Sequence, residues 1–260
     1  MTWEQVELDI IGKVAVISIA REEAMNALDL SVLSDLRDAF KHVARSDAKV
    51  IVLTGKGRAF TAGGDVAAMS RADDPEDFLF KLGGGIHKVV GAIRDSPRPV
   101  IAAINGAAVG AGLGVAMACD IKIAGRSAVF TTGFLKVGLA PGCGTRLLAL
   151  HVGAARSMEM LLTSRAVKAD EALEIGLVSE VVGDDVLMDR AMEVANTIAR
   201  MPRIATARAK SLMQRAYVND LDEQLAIERK YLSVSGGTDE FREGASAFAE
   251  KRRPNFDKFD

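Results

Sequence analysis

The spacing of apolar positions divides the chain into two regions. From residue 1 to about 182, short apolar runs alternate with segments in which apolar side chains recur every three or four positions, and beyond 182 only the helical spacing continues. Near the N-terminus, Val6, Leu8 and Ile10 alternate with acidic residues. A second apolar run at 14–19 follows the turn Gly12-Lys13, so we expect a hairpin. The other predicted strands are 50–54, 100–104, 121–124, 129–131 and 177–182.

Helix signals fill the intervals between the predicted strands. Asp29 is placed to cap a helix whose apolar face carries Leu33, Leu36, Phe40 and Val43. A helix over 75–93 is predicted, although the glycines at 83–85 weaken it. The remaining predicted helices are 111–119, 145–150, 154–162, 169–175 with Gly176 as C-terminal cap, one beginning near Leu187, 204–217, 222–232, and 238–252 with Thr238 as N-cap.

This order of elements predicts an α/β fold. Strand–turn–helix units begin near residues 14, 50, 100 and 121 and form a degenerate internal repeat, which indicates a spiral or layered core. We assign residues 1–200 to this core and residues 201–260 to a C-terminal helical region of the same fold.

The stretch 99–120 contains the clearest candidate chemistry. A buried strand at 100–104 is followed by glycines at 106, 110, 112 and 114, and then by small apolar residues up to Cys119. Glycine lets another molecule approach the main chain closely. A strand, a glycine turn and a helix N-terminus together direct backbone N–H groups and the positive end of the helix dipole at a negative charge.

Three other interpretations fit parts of this stretch. It has no charged residue from 100 to 119, which is long enough for a membrane span, but Asn105 and the glycines interrupt it and no second such run exists. A dinucleotide loop would need G-x-G-x-x-G and a later acid, whereas the chain has G-x-G-x-G and Asp120. The glycines also fit close packing of a helix on a sheet.

Composition narrows the class of protein. The 260 residues are 49% hydrophobic and 26% charged with a net charge of −2, which fits a globular protein, and no basic stripe indicates a nucleic acid partner. Residues 1–7 have neither a basic region nor an apolar core, so we expect no signal peptide and a cytoplasmic protein. Cys119 and Cys143 lie in apolar segments and indicate buried thiols in a reducing compartment. Three scattered histidines predict no metal site.

A second glycine-bearing loop, 59–65, resembles the loop at 106–112 in its setting. Each follows an apolar strand and each leads into a helix. If both loops face one cavity, each supplies a backbone N–H, and two such donors form an oxyanion hole. An oxyanion hole polarises a carbonyl group and stabilises an enolate or a tetrahedral oxyanion without any side chain.

Segments in the same order along nearly the whole chain match one family pattern. They are 26–28, 57–65, 99–120, 138–141, 162–163, 169–178 and 241–248, with Lys251 and Pro254 after them. Together they resemble the crotonase family, the enoyl-CoA hydratases and isomerases. The resemblance implies a spiral of strand–strand–helix turns and C-terminal helices that build a homotrimer or homohexamer. It also implies an acyl-CoA substrate, with no metal and no cofactor apart from the coenzyme A of the substrate.

The resemblance also assigns residues. The N–H groups of Gly64 and Ala111 would bind the thioester oxygen. The residues implied to contact the substrate or its CoA moiety are Ala24, Met25, Ala62, Asp65, Val66, Gly110, Phe134, Leu139, Phe248 and Lys251. The resemblance implies that Phe248 and Lys251 come from a neighbouring subunit. Apart from the resemblance, the apolar side chains of Phe134, Leu139 and Met69 are expected to line the pocket. For Asp65 a helix-capping carboxylate is the favoured interpretation.

The chain departs from the family pattern where acids are expected. The two glutamates of the hydratases are replaced by Gly114 and Phe134, and the aspartate of another family member is replaced by Gly142. A general base contributes about 10²–10⁴-fold, so efficient water addition is not expected. Asp73, Asp74, Glu76 and Asp77 indicate a solvated loop, and His87 is the other remote candidate.

Three functional hypotheses follow from the sequence. The first is a crotonase-family enzyme that acts on an acyl-CoA thioester by hydration, isomerisation, hydrolysis or another enolate reaction. The second is an acyl-CoA-binding homologue that has lost catalysis. The third is a dinucleotide-binding oxidoreductase, which would bind NAD.

Overall fold

The chain folds into two β-sheets surrounded by helices. A computed structural model describes residues 1–259 and contains ten strands and eleven α-helices within that range. The strands are β1 Val6–Ile11, β2 Val14–Ile19, β3 Val50–Gly55, β4 Ala59–Thr61, β5 Val100–Ile104, β6 Ala107–Val109, β7 Ile121–Gly125, β8 Val129–Thr131, β9 Val167–Lys168 and β10 Glu180–Val182. The helices are α1 Leu30–Ala44, α2 Val66–Ser70, α3 Pro75–Asp95, α4 Ala111–Ala118, α5 Thr145–Val152, α6 Ala154–Thr163, α7 Ala169–Glu174, α8 Leu187–Ala199, α9 Arg203–Arg215, α10 Leu221–Gly236 and α11 Asp239–Ala249.

The two sheets repeat one connection. The larger sheet has the order β1-β2-β3-β5-β7-β10, and its strands are parallel except for the β1–β2 hairpin. The smaller sheet has the order β4-β6-β8-β9. After β3, β5 and β7 in the larger sheet, the chain enters β4, β6 and β8 of the smaller one and then a helix. This repeated turn confirms the predicted spiral α/β fold.

Both faces of the larger sheet are covered, which explains why its strands are continuously apolar. One face packs against α1, α3 and α4 around Ile17, Leu53 and Ala102. The other face packs against α8, where Val52 and Ile101 meet a row of small side chains on the helix. A parallel sheet buried on both sides needs apolar residues at every strand position rather than at alternate ones.

Helix ends follow the predicted caps. The side chain of Asp29 accepts a hydrogen bond from the N–H of Val32 at 2.9 Å, and Thr238 accepts one from the N–H of Phe241 at 3.2 Å. Gly176, just beyond α7, has a φ of +79°. α3 runs through the three glycines without a break. The predicted helices therefore form with bounds close to those expected.

Two predictions about strands are wrong, and the short strands β6 and β9 are not predicted by the sequence at all. Residues 59–65 were expected to be a turn, but Ala59–Thr61 forms β4, which pairs with β6. The last strand was expected to begin at Leu177 but begins at Glu180. The N–H groups of Leu177 and Val178 both donate to the carbonyl oxygen of Ala172, at 2.8 and 3.2 Å, and close the end of α7 instead.

The apolar run at 100–119 does not form a membrane span. It is divided among β5, β6 and the eight-residue α4. Within residues 1–259, no helix combines the length and the apolar character that crossing a bilayer requires. In the C-terminal region, neither α9 nor α10 has a buried residue. The division of the chain at residue 200 stays a prediction.

Candidate active site

One apolar cavity brings the two glycine-bearing loops together. It has a volume of about 580 Å³ and lies between α3, the start of α4 and the segment 131–143. The predicted site residues that line it are Ala62, Gly64, Val66, Gly110, Ala111, Phe134 and Leu139, together with Met69. Lys136 is the only charged side chain among the described residues that line it.

Missing Cβ atoms let the two loops touch. Gly63 has a φ of +84°, and a Cβ there would lie 2.4 Å from the carbonyl oxygen of Val109 and 3.4 Å from the nitrogen of Ala111. A Cβ on Gly112 would lie 2.6 Å from the carbonyl oxygen of Thr61. Real Cβ atoms do not approach backbone oxygens so closely, so only glycine permits this contact. Gly63 is not among the residues predicted for the site, although the Gly63-Gly64 pair in the sequence indicates a close backbone approach here.

The N–H of Gly64 makes neither hydrogen bond of the β-bridge in which Gly64 lies. Leu28 and Gly64 form a parallel bridge in which the N–H of Leu28 donates to Gly63 and the N–H of Asp65 donates to Leu28, at 2.7 and 3.0 Å. In a parallel bridge the central residue on one side makes neither bond itself. Within residues 1–259, the N–H of Gly64 therefore has no acceptor.

The N–H of Ala111 lies at the start of a helix, where it has no hydrogen-bond partner within the helix. Ala111 is the first residue of α4, and Gly110 before it has a φ of +53° and provides no side-chain cap. The first N–H groups of an α-helix have no partner inside the helix, and they carry the positive end of its dipole. The described part of the chain offers no acceptor to the N–H of Ala111. Two unused donors thus lie on adjacent segments of one cavity.

Comparison with known proteins identifies the family. A sequence model described as enoyl-CoA hydratase/isomerase matches residues 9–258. The chain belongs to the enoyl-CoA hydratase/isomerase family.

Alignments with individual relatives cover nearly the whole chain of this family member. A probable enoyl-CoA hydratase of Rhodobacter capsulatus is 38% identical over 98% of this chain and 99% of its own. The 1,2-epoxyphenylacetyl-CoA isomerase of Escherichia coli is 37% identical over 94% of both chains. Among solved structures, the enoyl-CoA hydratase of Bacillus anthracis matches with a TM-score of 0.93 and 32% identity over 97% of this chain and 99% of that one. Both the crotonase fold and the enzyme family predicted from the sequence are confirmed.

Asp65, next to Gly64 in the chain, caps α2 and pairs with Arg21. Its side chain accepts hydrogen bonds from the N–H of Ala68, at 2.8 Å, and from Arg21 Nη1, also at 2.8 Å. Arg21 Nη1 also lies 3.3 Å from Asp29 Oδ2, so one guanidinium joins the caps of α1 and α2. Burial raises the pKa of the Asp65 carboxyl, but the bonds from Ala68 and Arg21 outweigh it and hold the pKa below its usual value. Asp65 does not line the cavity, and the capping interpretation is confirmed.

Residues 24–28 brace the same loop from outside the cavity. Met25 and Asn26 both have positive φ angles, and the carbonyl oxygen of Met25 accepts a hydrogen bond from the N–H of Ala62 at 3.0 Å. The buried amide of Asn26 donates to the carbonyl oxygens of Lys56 and Ala59, at 2.9 and 2.7 Å. Ala24 and Met25 therefore lie next to the Ala62 segment but do not line the cavity. Neither the bracing role of Asn26 nor that of Arg21 was found from the sequence.

The three positions where acids were expected lie around Cys143. Phe134 and Gly142 line the cavity, whereas a Cβ on Gly114 would lie 2.5 Å from Cys143 Sγ. Burial raises the pKa of the Cys143 thiol to about 11, so the thiol is protonated at neutral pH. No aspartate, glutamate or histidine belongs to the described lining of the cavity.

The remaining candidates lie outside the cavity. The acidic residues 73, 74, 76 and 77 are exposed, and Asp74 caps α3. His87 is exposed, and its Nε2 lies 2.8 Å from the carbonyl oxygen of Gly142. Phe248 is 87% exposed at the end of α11, and Lys251 beyond it is also exposed. Neither of these two lines the cavity, so contact with coenzyme A from a neighbouring subunit stays a prediction.

Proposed function

We propose that this family member acts on an acyl-CoA thioester whose carbonyl oxygen binds the N–H groups of Gly64 and Ala111. The observation that carries the proposal is that both residues line one apolar cavity and neither N–H has an acceptor within residues 1–259. Donors fixed by a β-bridge and a helix end need no reorganisation when negative charge develops on the oxygen. The arrangement supports formation of an enolate or of a tetrahedral oxyanion.

The reaction that this cavity favours is isomerisation or another enolate reaction rather than hydration. Water addition needs a group that orients the water and moves its proton, and a general base typically contributes about 10²–10⁴-fold. Gly114, Phe134 and Gly142 stand where the family pattern has acids, and no other carboxylate belongs to the described lining. In the proposed reaction the proton that leaves the carbon next to the thioester carbonyl passes, directly or through a bound water, to another atom of the same substrate, so no protein group gains or loses a proton overall. The relative named 1,2-epoxyphenylacetyl-CoA isomerase supports this choice.

The proposed path of the coenzyme passes residues 24–25 and 62–66. Ala62 and Val66 line the cavity, and Met25 is hydrogen-bonded to Ala62. Phe248 and Lys251 complete the coenzyme site from a neighbouring copy in a homotrimer or homohexamer. Support for such an assembly comes from exposed apolar side chains on α9–α11, among them Met213, Leu221, Leu225, Leu232 and Phe241. The proposal requires no metal and no cofactor other than the substrate's coenzyme A.

A second candidate is an acyl-CoA-binding protein without efficient chemistry, and a third is a thioester hydrolase. The acyl-CoA-binding protein is favoured by the lack of an acid or a histidine in the described lining. A dinucleotide-dependent oxidoreductase finds no support in the family match, which covers residues 9–258.

The test combines turnover with binding. Purified protein is assayed with crotonyl-CoA for hydration and with a panel of unsaturated acyl-CoAs for isomerisation and release of free coenzyme A. Binding of the same thioesters is measured by calorimetry. We expect tight binding, slow hydration and faster isomerisation. Hydration at the rate of a relative that has both glutamates refutes the reaction assigned here, and tight binding without any turnover selects the binding protein.

A further inference from the structure

α3 has three consecutive glycines in its interior, Gly83, Gly84 and Gly85. After proline, glycine is the least favourable residue inside a helix, because it loses the most backbone freedom on folding. Three in a row in a 21-residue helix therefore call for a physical reason at each position.

Packing explains only the third glycine. A Cβ on Gly85 would lie 2.9 Å from Leu33 Cδ1, so glycine lets α3 approach α1 closely. A Cβ on Gly83 or on Gly84 would meet no atom within 4 Å. Neither of these two glycines has a positive φ angle. Nothing inside the protein requires glycine at 83 or 84.

Gly83 differs from Gly84 in what it faces. Gly83 lines the cavity, and Gly84 does not. Leu79 and Ile86, four residues before and three after Gly83, line it as well, so this face of α3 forms one wall. Because a Cβ at 83 would meet no atom within 4 Å, the missing side chain leaves a recess in that wall, and Phe134 and Leu139 line the same cavity.

The wall around the recess is apolar, which limits what it can hold. Leu79, Leu82 and Ile86 offer no hydrogen-bonding side chain, whereas the amides and phosphates of coenzyme A need polar partners. Leu82 also reaches the oxyanion segment, since a Cβ on Gly64 would lie 3.4 Å from Leu82 Cδ2. The recess therefore fits the hydrocarbon part of the thioester, next to the carbonyl that Gly64 binds.

In the proposed function, the cavity holds both the acyl group and the part of coenzyme A that passes Ala62 and Val66, and its size bears on how large the acyl group is. A cavity of about 580 Å³ falls in the range that encloses drug-sized ligands. A four-carbon acyl group bound at Gly64 would leave the wall formed by Leu79, Gly83 and Ile86 largely without contacts, and unfilled apolar space forfeits dispersion energy.

We propose that Gly83 determines substrate specificity, and that its recess selects acyl-CoA thioesters whose acyl group is bulky and apolar and extends well beyond four carbons. This inference rests on the proposed function, because it assumes that the thioester binds in this cavity. A side chain at 83 fills the recess and excludes the far part of the acyl group.

The test compares matched variants at neighbouring positions. Gly83→Ala and Gly83→Leu fill the recess, whereas Gly84→Ala and Gly84→Leu place the same side chains on the same helix outside the cavity. Dissociation constants for decanoyl-CoA and butyryl-CoA are measured by calorimetry, and turnover is measured with the matching unsaturated thioesters. Thermal melting reports folding, and both alanine variants are expected to raise Tm by about 2 °C or more.

We expect the unmodified protein to bind decanoyl-CoA at least tenfold more tightly than butyryl-CoA. Gly83→Leu should remove that preference, because it should weaken the binding of decanoyl-CoA about 10–200-fold and change the binding of butyryl-CoA little. Gly83→Ala should have a smaller effect of the same kind. The Gly84 variants should bind like the unmodified protein.

The inference is overturned if Gly83→Leu weakens the binding of decanoyl-CoA and of butyryl-CoA equally. It is also overturned if Gly84→Leu weakens the binding of decanoyl-CoA as much as Gly83→Leu does. Either result leaves the oxyanion proposal intact if acyl-CoA still binds and turns over. If no acyl-CoA binds the unmodified protein, the proposed function and the inference fall together. If chain-length preference follows residue 83 but no thioester is converted, only the catalytic proposal fails.

Discussion

Replacing Ala111 by proline removes one N–H from the candidate active site and leaves the helix that it begins in place. Ala111 is the first residue of α4, and its N–H makes no bond within the helix. Proline is common at this position because its fixed φ suits the first helical turn and its missing N–H costs no helical bond. The substitution therefore separates the proposed catalytic role of the N–H from its structural role.

The size of the effect follows from the number of donors. Loss of one of two oxyanion donors typically lowers kcat by about 10²–10³-fold, or about 2.7–4 kcal/mol of transition-state stabilisation. Ala111 is only 3% exposed, so the added ring carbons must fit among packed atoms. Overpacking of this kind costs about 1–3 kcal/mol of stability, which a chain of this size tolerates.

The control is proline at a matched helix start. Ala154 is the first residue of α6 and also follows a glycine N-cap with positive φ, but it is exposed and does not line the cavity. Steady-state kinetics with the best acyl-CoA substrate and thermal melting are measured for Ala111→Pro and Ala154→Pro. We expect kcat to fall only in Ala111→Pro, with both proteins folded. A folded Ala111→Pro protein that keeps its kcat refutes the assignment of Ala111 as a donor.

Three other outcomes are expected. Asp65→Asn should lose stability at neutral pH but match the unmodified protein in strong acid. The lowered folded-state pKa of Asp65 stabilises the fold fully above the unfolded pKa of about 3.9, and this stabilisation is lost as the pH falls through the lower folded-state pKa. Urea titrations across pH measure this, and a loss that is independent of pH contradicts it. Gly106→Ala should lower Tm strongly, since a Cβ would lie 2.1 Å from the carbonyl oxygen of Arg58, while Gly236→Ala, which meets open space, should not. Cys143 should react slowly with iodoacetamide at pH 8, because a thiol with a pKa of about 11 is only about a thousandth thiolate there; rapid alkylation of the folded protein contradicts this.

Much of the fold could be predicted because its signals are local. The hairpin at β1–β2, the cap at Asp29 and the buried strand β5 each depend on residues within a few positions of one another. β4 was missed because three residues carry too little periodicity, and its pairing with β6 is set by a distant segment. The last strand begins later than predicted because the carbonyl oxygen of Ala172 accepts hydrogen bonds from the N–H groups of Leu177 and Val178.

The residues of the candidate site were only partly predictable. Gly64 and Ala111 came from a resemblance, and the structure adds why their N–H groups have no acceptor. Arg21 was not found, because its partners, Asp29 and Asp65, lie far apart in sequence. In the sequence, Gly83 only weakens the predicted helix over 75–93, because the cavity that it lines forms only when α3 packs in the folded chain.

The sequence by itself determined the strands of the larger sheet, most helices with their caps, and the family, because these depend on side-chain periodicity and on short motifs. The tertiary structure decided which groups share the cavity, which donors stay unused and that no acid belongs to its described lining. The physical reason is that every residue except proline carries the same backbone N–H, so the residue type does not show whether that N–H is hydrogen-bonded. Whether it is free to bind a substrate depends on the bridge or helix end in which the fold places it.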